Sequence, residues 1–178
     1  MERDGNPAEV REGKSRVAAD SQGPRARFED IEVGRVLAEM DWVVTDEMID
    51  TQCAIDDDYD VWFSLHSPWG GRIAPPQITY RPPRWLLSRA YNVRGLFYKW
   101  EMENVRPIRP GVTLRVIARV TDKYLRNERE FIVYEAEATD SDGHVVFRTK
   151  RTHVLDFIER TAERTGAGID SGIKSERI

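Results

Sequence analysis

Hydrophobic residues follow different rhythms along the 178-residue chain. In "VTLRVIARVTDKYL", Leu114, Val116, Ala118 and Val120 alternate with Thr113, Arg115, Arg119 and Thr121, the period of two that marks a half-buried strand. "RVLAEMDWVVT" (Arg35 to Thr45), "GLFYKWEMENV", "EFIVYEAEATD" and "HVVFRTKRTHVLDF" are rich in β-branched and aromatic residues and also predict strands. "RNER" and "SDG" supply turns between the last three, which therefore form an antiparallel meander.

Helical spacing shows in two places. "TDEMIDTQCAI" predicts a short helix, with Thr45 as N-cap and Asp46 and Glu47 complementing the dipole. "PQITYRPPRWLLSRAYN" repeats apolar and aromatic residues at roughly helical intervals. Pro82 and Pro83 cannot sit deep in a regular helix, so a break is expected, with "PRWLLSRAYN" restarting on Pro83 as a first-turn proline. Residues 1–26 and 159–178 show no rhythm; they mix Gly and both charges and bury too little to offset their ordering entropy. The reading is a flexible N-terminal arm (1–26), a folded domain (27–158) and a polar C-terminal tail (159–178). The domain is α+β: one long helix region against a strongly curved antiparallel sheet.

Composition narrows the class. Hydrophobic residues make up 40% and charged residues 33%, values of a soluble globular protein. A net charge of −4 argues against nucleic acid or an anionic membrane as partner, so an anionic ligand needs a local basic patch. No apolar run opens the chain and none is long enough to span a bilayer, which makes the cytoplasm the expected location. The single cysteine, Cys53, excludes an intrachain disulfide and a cysteine-based zinc site, and reads as core packing.

The densest chemistry lies in "AIDDDYDVW". Asp56, Asp57, Asp58 and Asp60 crowd together, yet a calcium loop counted from Asp56 has Val61 at its sixth position and Ser67 at its twelfth, where Gly and Glu belong. Two readings stay open: a solvated loop after a helix, or one carboxylate working as general acid or base. His66, His144 and His153 are scattered, which disfavours a metal site. His144 beside the "SDG" turn is expected at the surface and His153 as a structural residue, while His66 lies nearest the carboxylates. Gly70 and Gly71 permit positive φ and close backbone approach but lack phosphate-loop spacing. Arg81, Arg84, Arg89 and Arg94 cluster near one helix, as a solvated face or a contact for phosphates. Trp42, Trp62, Trp69, Trp85 and Trp100 are core residues or a lining for a bulky ring.

"FEDIEVGRVL", "SPWGGRIAPP" and "RPIRPGVTLRVIARVTDK", in this order, resemble the MaoC-like dehydratases, in particular their N-terminal-type domain, over about Phe28 to Phe157. The resemblance implies a hot-dog fold, a long central helix wrapped by a curved antiparallel sheet and paired into a dimer. It also implies acyl thioesters of coenzyme A or carrier protein as substrates, hydrated or dehydrated at the α,β double bond, without a further cofactor. The family's chemistry uses Asp and His in a Gly-Asp-x-Asn-Pro-x-His pattern. Here Asp57 takes the catalytic Asp place, Asp56 the Gly, Tyr59 the Asn and Asp60 the Pro, while Trp62 stands where the His belongs. An indole donates a hydrogen bond but takes no proton near neutral pH. The family's helix-start Gly N–H, which polarises the thioester carbonyl, is replaced by Pro76, leaving the Gln77 N–H as substitute.

The expected catalytic residues are therefore Asp57 and Asp60, with His66 as replacement proton carrier. Trp62, Gly70, Gly71, Arg72, Ile73, Ala74, Pro75, Pro76 and Gln77 are expected to bind substrate. The expected function is an acyl-thioester hydratase or dehydratase, or one subunit of it, as a homodimer or as a heterodimer with a second hot-dog chain. The alternative is a non-catalytic acyl-CoA-binding subunit.

Overall fold

Leu114, Val116, Ala118 and Val120 are all fully buried, as the period of two demands, and they run down the inner face of β3 (Thr113–Arg126). In the computed structural model, which describes residues 26–93 and 95–155, β3 continues into β4 (Arg129–Thr139) and β5 (Val145–Leu155) as the expected meander. Asn127 and Glu128 both take positive φ at the first turn, the pairing that matches strand twist in a two-residue hairpin. β1 (Val36–Val43) pairs with β3 and β2 (Gly95–Asn104) with β5, giving one five-stranded antiparallel sheet in the order β1-β3-β4-β5-β2. β1 and β2 are thus its edges. The N-terminal arm, save Ala26, and the C-terminal tail lie outside the described residues.

Thr45 caps α1 (Asp46–Asp56), its hydroxyl accepting from the Met48 N–H at 3.2 Å, and Ile49 and Cys53 turn inward. The proline-rich segment differs from expectation in detail. A 3-10 helix, Pro76–Tyr80, passes straight into α3 (Arg81–Ala90), because Tyr80 itself is helical. The helix starts at Arg81 rather than Pro83, and both prolines sit in its first turn, where their missing N–H groups are least needed. Pro83 still leaves the Thr79 carbonyl without its i+4 donor, and the Arg151 side chain on β5 donates to that carbonyl instead at 3.2 Å.

α3 packs on the inner face, against β1 and β3, through fully buried Leu86 and Leu87. The outer face carries cross-strand charge pairs: Arg115–Glu39 at 2.6 Å, Arg148–Glu137 at 2.9 Å and Lys150–Glu135 at 3.1 Å. Exposed pairs of this kind contribute little each, so the fold rests on the inner face. A cavity of about 650 Å³ lies among these outer charges and shares no lining residue with the acidic loop.

Candidate functional site

Asp57 closes α1 in the left-handed conformation, at φ 51°. Asn and Asp tolerate that region better than most residues, and the turn swings the chain outward into the acidic loop. Within it the carboxylates hold local backbone. Asp58 accepts from the Asp60 N–H at 3.2 Å, and Asp60 accepts from the Trp62 N–H at 2.8 Å, capping the short helix α2 (Val61–Ser64). Asp56 accepts from the Gln52 side chain at 2.8 Å. Asp57 is exposed, and no hydrogen bond to its side chain is found among the described residues.

His66 follows α2 and is exposed, with its own N–H donating to the Val61 carbonyl at 3.0 Å. Among the described residues no hydrogen bond or ion pair joins it to Asp57 or Asp60. Trp62 sits edge-on to Trp69, ring centroids 5.4 Å apart, both indoles partly exposed. The Trp62 indole is therefore a packing element of the loop.

Gly70 and Gly71, at φ 80° and 102°, complete a tight turn: the Ser67 N–H and hydroxyl both donate to the Gly71 carbonyl, at 2.8 and 2.7 Å. Arg72 then clamps the loop to α1, donating to the Phe63 carbonyl at 2.7 Å and pairing with Asp50 at 2.6 Å and Asp46 at 3.4 Å. Its charge is occupied within the fold. The Ile73 N–H donates to the Trp62 carbonyl at 2.9 Å and the Ala74 N–H to Ile108 at 2.7 Å, and Ile73, Ala74 and Pro75 are buried anchors. Pro76 and Gln77 emerge at the surface, and the Gln77 N–H precedes the first 3-10 bond, from Ile78 to Pro75 at 3.1 Å.

The loop and the helix start are thus tied together through Trp62 and Ile73. A cleft of about 430 Å³ beside them is lined by Gly70, Gly71, Arg72 and the Arg109–Val112 turn. Arg109, whose Nη1 reaches the Trp69 carbonyl at 3.5 Å, brings a cation to the cleft, where the sequence points instead to Arg81, Arg84, Arg89 and Arg94. The last of these lies outside the described residues. The nearby Cys53 thiol is pushed up by burial, which keeps it protonated and inert. Asp140, Asp142 and His144 place ligand atoms within 4.8 Å of one another, but Asp140 is engaged as turn acceptor for the Asp142 and His144 N–H groups.

No family model matches the sequence. No curated protein matches it either. Solved structures do. The R-hydratase PhaJ1 from Pseudomonas aeruginosa aligns over 72% of this chain and 84% of its own, at TM-score 0.59 and 16% identity. The MaoC-like dehydratase from Rhodospirillum rubrum covers 71% and 94%, at 0.56 and 22%. The HadBC (3R-hydroxyacyl-ACP dehydratase) complex from Mycobacterium tuberculosis covers 68% and 96%, at 0.60 and 13%. The sheet order, the helix on its inner face and these alignments agree: the chain has the hot-dog fold of the MaoC-like dehydratases and R-hydratases.

Proposed function

We propose that the chain is a subunit of an acyl-thioester hydratase or dehydratase. The thioester lies across the start of the 3-10 helix, its carbonyl accepting from the Gln77 N–H, with its coenzyme A portion along the Gly70–Gly71 cleft near Arg109. The Asp57 carboxylate takes a proton from water. The water oxygen bonds to the β-carbon, the α,β double bond opens toward the carbonyl, and the resulting enolate collects a proton at the α-carbon. Dehydration is the reverse.

The observation that carries the reading is Asp57, an exposed carboxylate with no hydrogen bond to its side chain among the described residues, on the loop that the Ile73–Trp62 backbone bond ties to the segment leading into the 3-10 helix. The hydratases and dehydratases among its structural relatives support the reaction class. The second proton carrier is the missing part, because Trp62 packs on Trp69 and His66 stands unconnected to either carboxylate. We infer that a second hot-dog chain with a complete Asp/His pair supplies it, as a subunit docked on the open β2 edge. Leu96, Phe97 and Tyr98 on that edge are exposed, together with Tyr80 and Trp85 on the adjoining helix flank, and pairing would cover both the apolar patch and the unpaired backbone. A purely binding role remains the second reading, favoured by Asp60 being engaged as the α2 cap.

Turnover of crotonyl-CoA, a simple four-carbon enoyl thioester, decides between them. The purified chain is expected to be slow alone and fast when mixed with a hot-dog chain carrying the Asp/His pair, with light scattering reporting a paired species. Fast turnover by the chain alone contradicts the two-chain account; no turnover in any mixture contradicts the hydratase reading.

A further inference from the structure

Arg151 is completely buried and has no carboxylate partner among the described residues. It lies on the inner face of β5, opposite Tyr134 of β4, and three aromatic rings enclose it: Tyr80, Trp100 and Phe97, with centroids 4.7, 5.3 and 5.9 Å from its Cζ. Its Nη2 donates to the Thr79 carbonyl at 3.2 Å and its Nε to the Thr149 hydroxyl at 3.4 Å. Nη1 has no partner. Two more buried polar atoms beside it lack one as well, the Tyr134 hydroxyl and Nδ1 of His153. The Tyr134 hydroxyl is near enough to the guanidinium to support its charge, though without hydrogen-bond geometry. The His153 ring stacks on Tyr134 at 5.5 Å, and Arg84 on α3 adds a second positive charge felt by all three groups.

The aromatic box accounts for the faces of the guanidinium but not for its third nitrogen. Buried donors are normally satisfied, and a buried charge without a counter-charge is among the most unfavourable arrangements in a folded chain. What the cluster lacks is one acceptor carrying negative charge. A carboxylate fits: it accepts several N–H and O–H bonds at once and forms the strongest pairs with guanidinium.

The position says whose carboxylate. Arg151 is anchored on Thr79, two residues along the 3-10 helix from Gln77, a rise of about 4 Å. A four-carbon acyl chain spans a similar length, three bonds of about 1.5 Å each. Tyr80 and Phe97 flank the guanidinium and form part of the patch on which the second subunit is proposed to dock, so the cluster lies just beneath that shared face. Resting on the hydratase reading above, we propose that Arg151, Arg84, Tyr134 and His153 receive a carboxylate at the far end of the acyl group, making the substrate a short dicarboxylic monothioester.

Two saturated thioesters of the same length test this, succinyl-CoA with a terminal carboxylate and butyryl-CoA with a terminal methyl, titrated by calorimetry against the full chain. Succinyl-CoA is expected to bind at least tenfold more tightly, and Arg151→Met to bring the ratio of the two affinities to about one. Arg84→Gln, on the helix flank, should reduce that ratio and carries the test if Arg151→Met does not fold. Equal affinity of the wild-type chain for the two, or a preference that survives in the folded variants, overturns the proposal while leaving the hydratase reading intact. Binding of neither overturns both.

Discussion

The acidic loop and the arginine box lie at opposite extremes of charge management within one domain. The loop gathers four carboxylates at the surface, and three of them hold their own backbone or a neighbouring side chain. The box takes one guanidinium out of water entirely, encloses it in rings, and leaves three polar atoms without a partner among the described residues. A solvated cluster of charges is inexpensive and common; a dry, half-satisfied one is neither. The difference teaches where function constrains this fold. In the loop only Asp57 stands apart from the local network, whereas in the box Arg151, Tyr134 and His153 each keep one polar atom without a partner among the described residues.

Removing the loop's one uncommitted carboxylate gives the largest expected effect. Asp57→Asn is isosteric and removes only the ionisable group, so the residual crotonyl-CoA turnover of the isolated chain should fall by about 10²–10⁴-fold. The melting temperature should not move. Unchanged turnover would shift the catalytic role to Asp60.

The box should reveal itself in the acid stability of the protein. Burial, with Arg84 and Arg151 close by, holds the His153 imidazole down to about 4 from an ordinary value of 6.5. The folded chain therefore keeps His153 neutral while the unfolded chain takes up a proton below pH 6.5. Stability is full above that pH and declines as pH falls toward 4, by about 3 kcal/mol for this group. Urea unfolding between pH 7 and pH 4 measures the decline. His153→Phe, which keeps the ring on Tyr134, should remove that share of it; an identical acid limb in the variant would mean that His153 is not buried as described.

A smaller effect tests the wall that β2 lends the box. A Cβ at Gly95 would come within 2.2 Å of the Val154 carbonyl oxygen. Gly95→Ala should therefore lift the start of β2 off β5, loosen Phe97 and destabilise the fold by about 1–3 kcal/mol. Differential scanning calorimetry and Trp100 fluorescence report both changes, and a variant as stable as the parent would show that β2 has room to adjust.

The contrast also marks what was legible in the sequence. All five strands, the Thr45 cap and the meander followed from the period of two in one segment, β-rich composition in the other four, and capping and turn residues, since each is decided within a few neighbours along the chain. The acidic loop was conspicuous because its residues adjoin. The box was not. "RTKRTHVL" reads as a charged strand with a structural histidine, and nothing local says that Arg151 faces inward while Lys150 faces out. That depends on register, which pairs Arg151 with Tyr134 and Trp100, residues 17 and 51 positions away along the chain. The link from Pro83 to Arg151, through a carbonyl deprived of its helical donor, is likewise visible only once β5 is laid beside the 3-10 helix. Arg109 escaped notice for the same reason: it reaches Trp69 across 40 positions of sequence.

The most direct test of the account is the equilibrium binding of butyryl-CoA to the purified chain, with no second chain present. This thioester has no double bond to hydrate, so it reads the helix start and the Gly70–Gly71 cleft without the missing proton carrier. Saturable binding of one molecule per chain is predicted, weakened by reversing the charge of Arg109. A chain that pairs and folds normally yet shows no saturable binding would contradict the claim that it handles an acyl thioester at all.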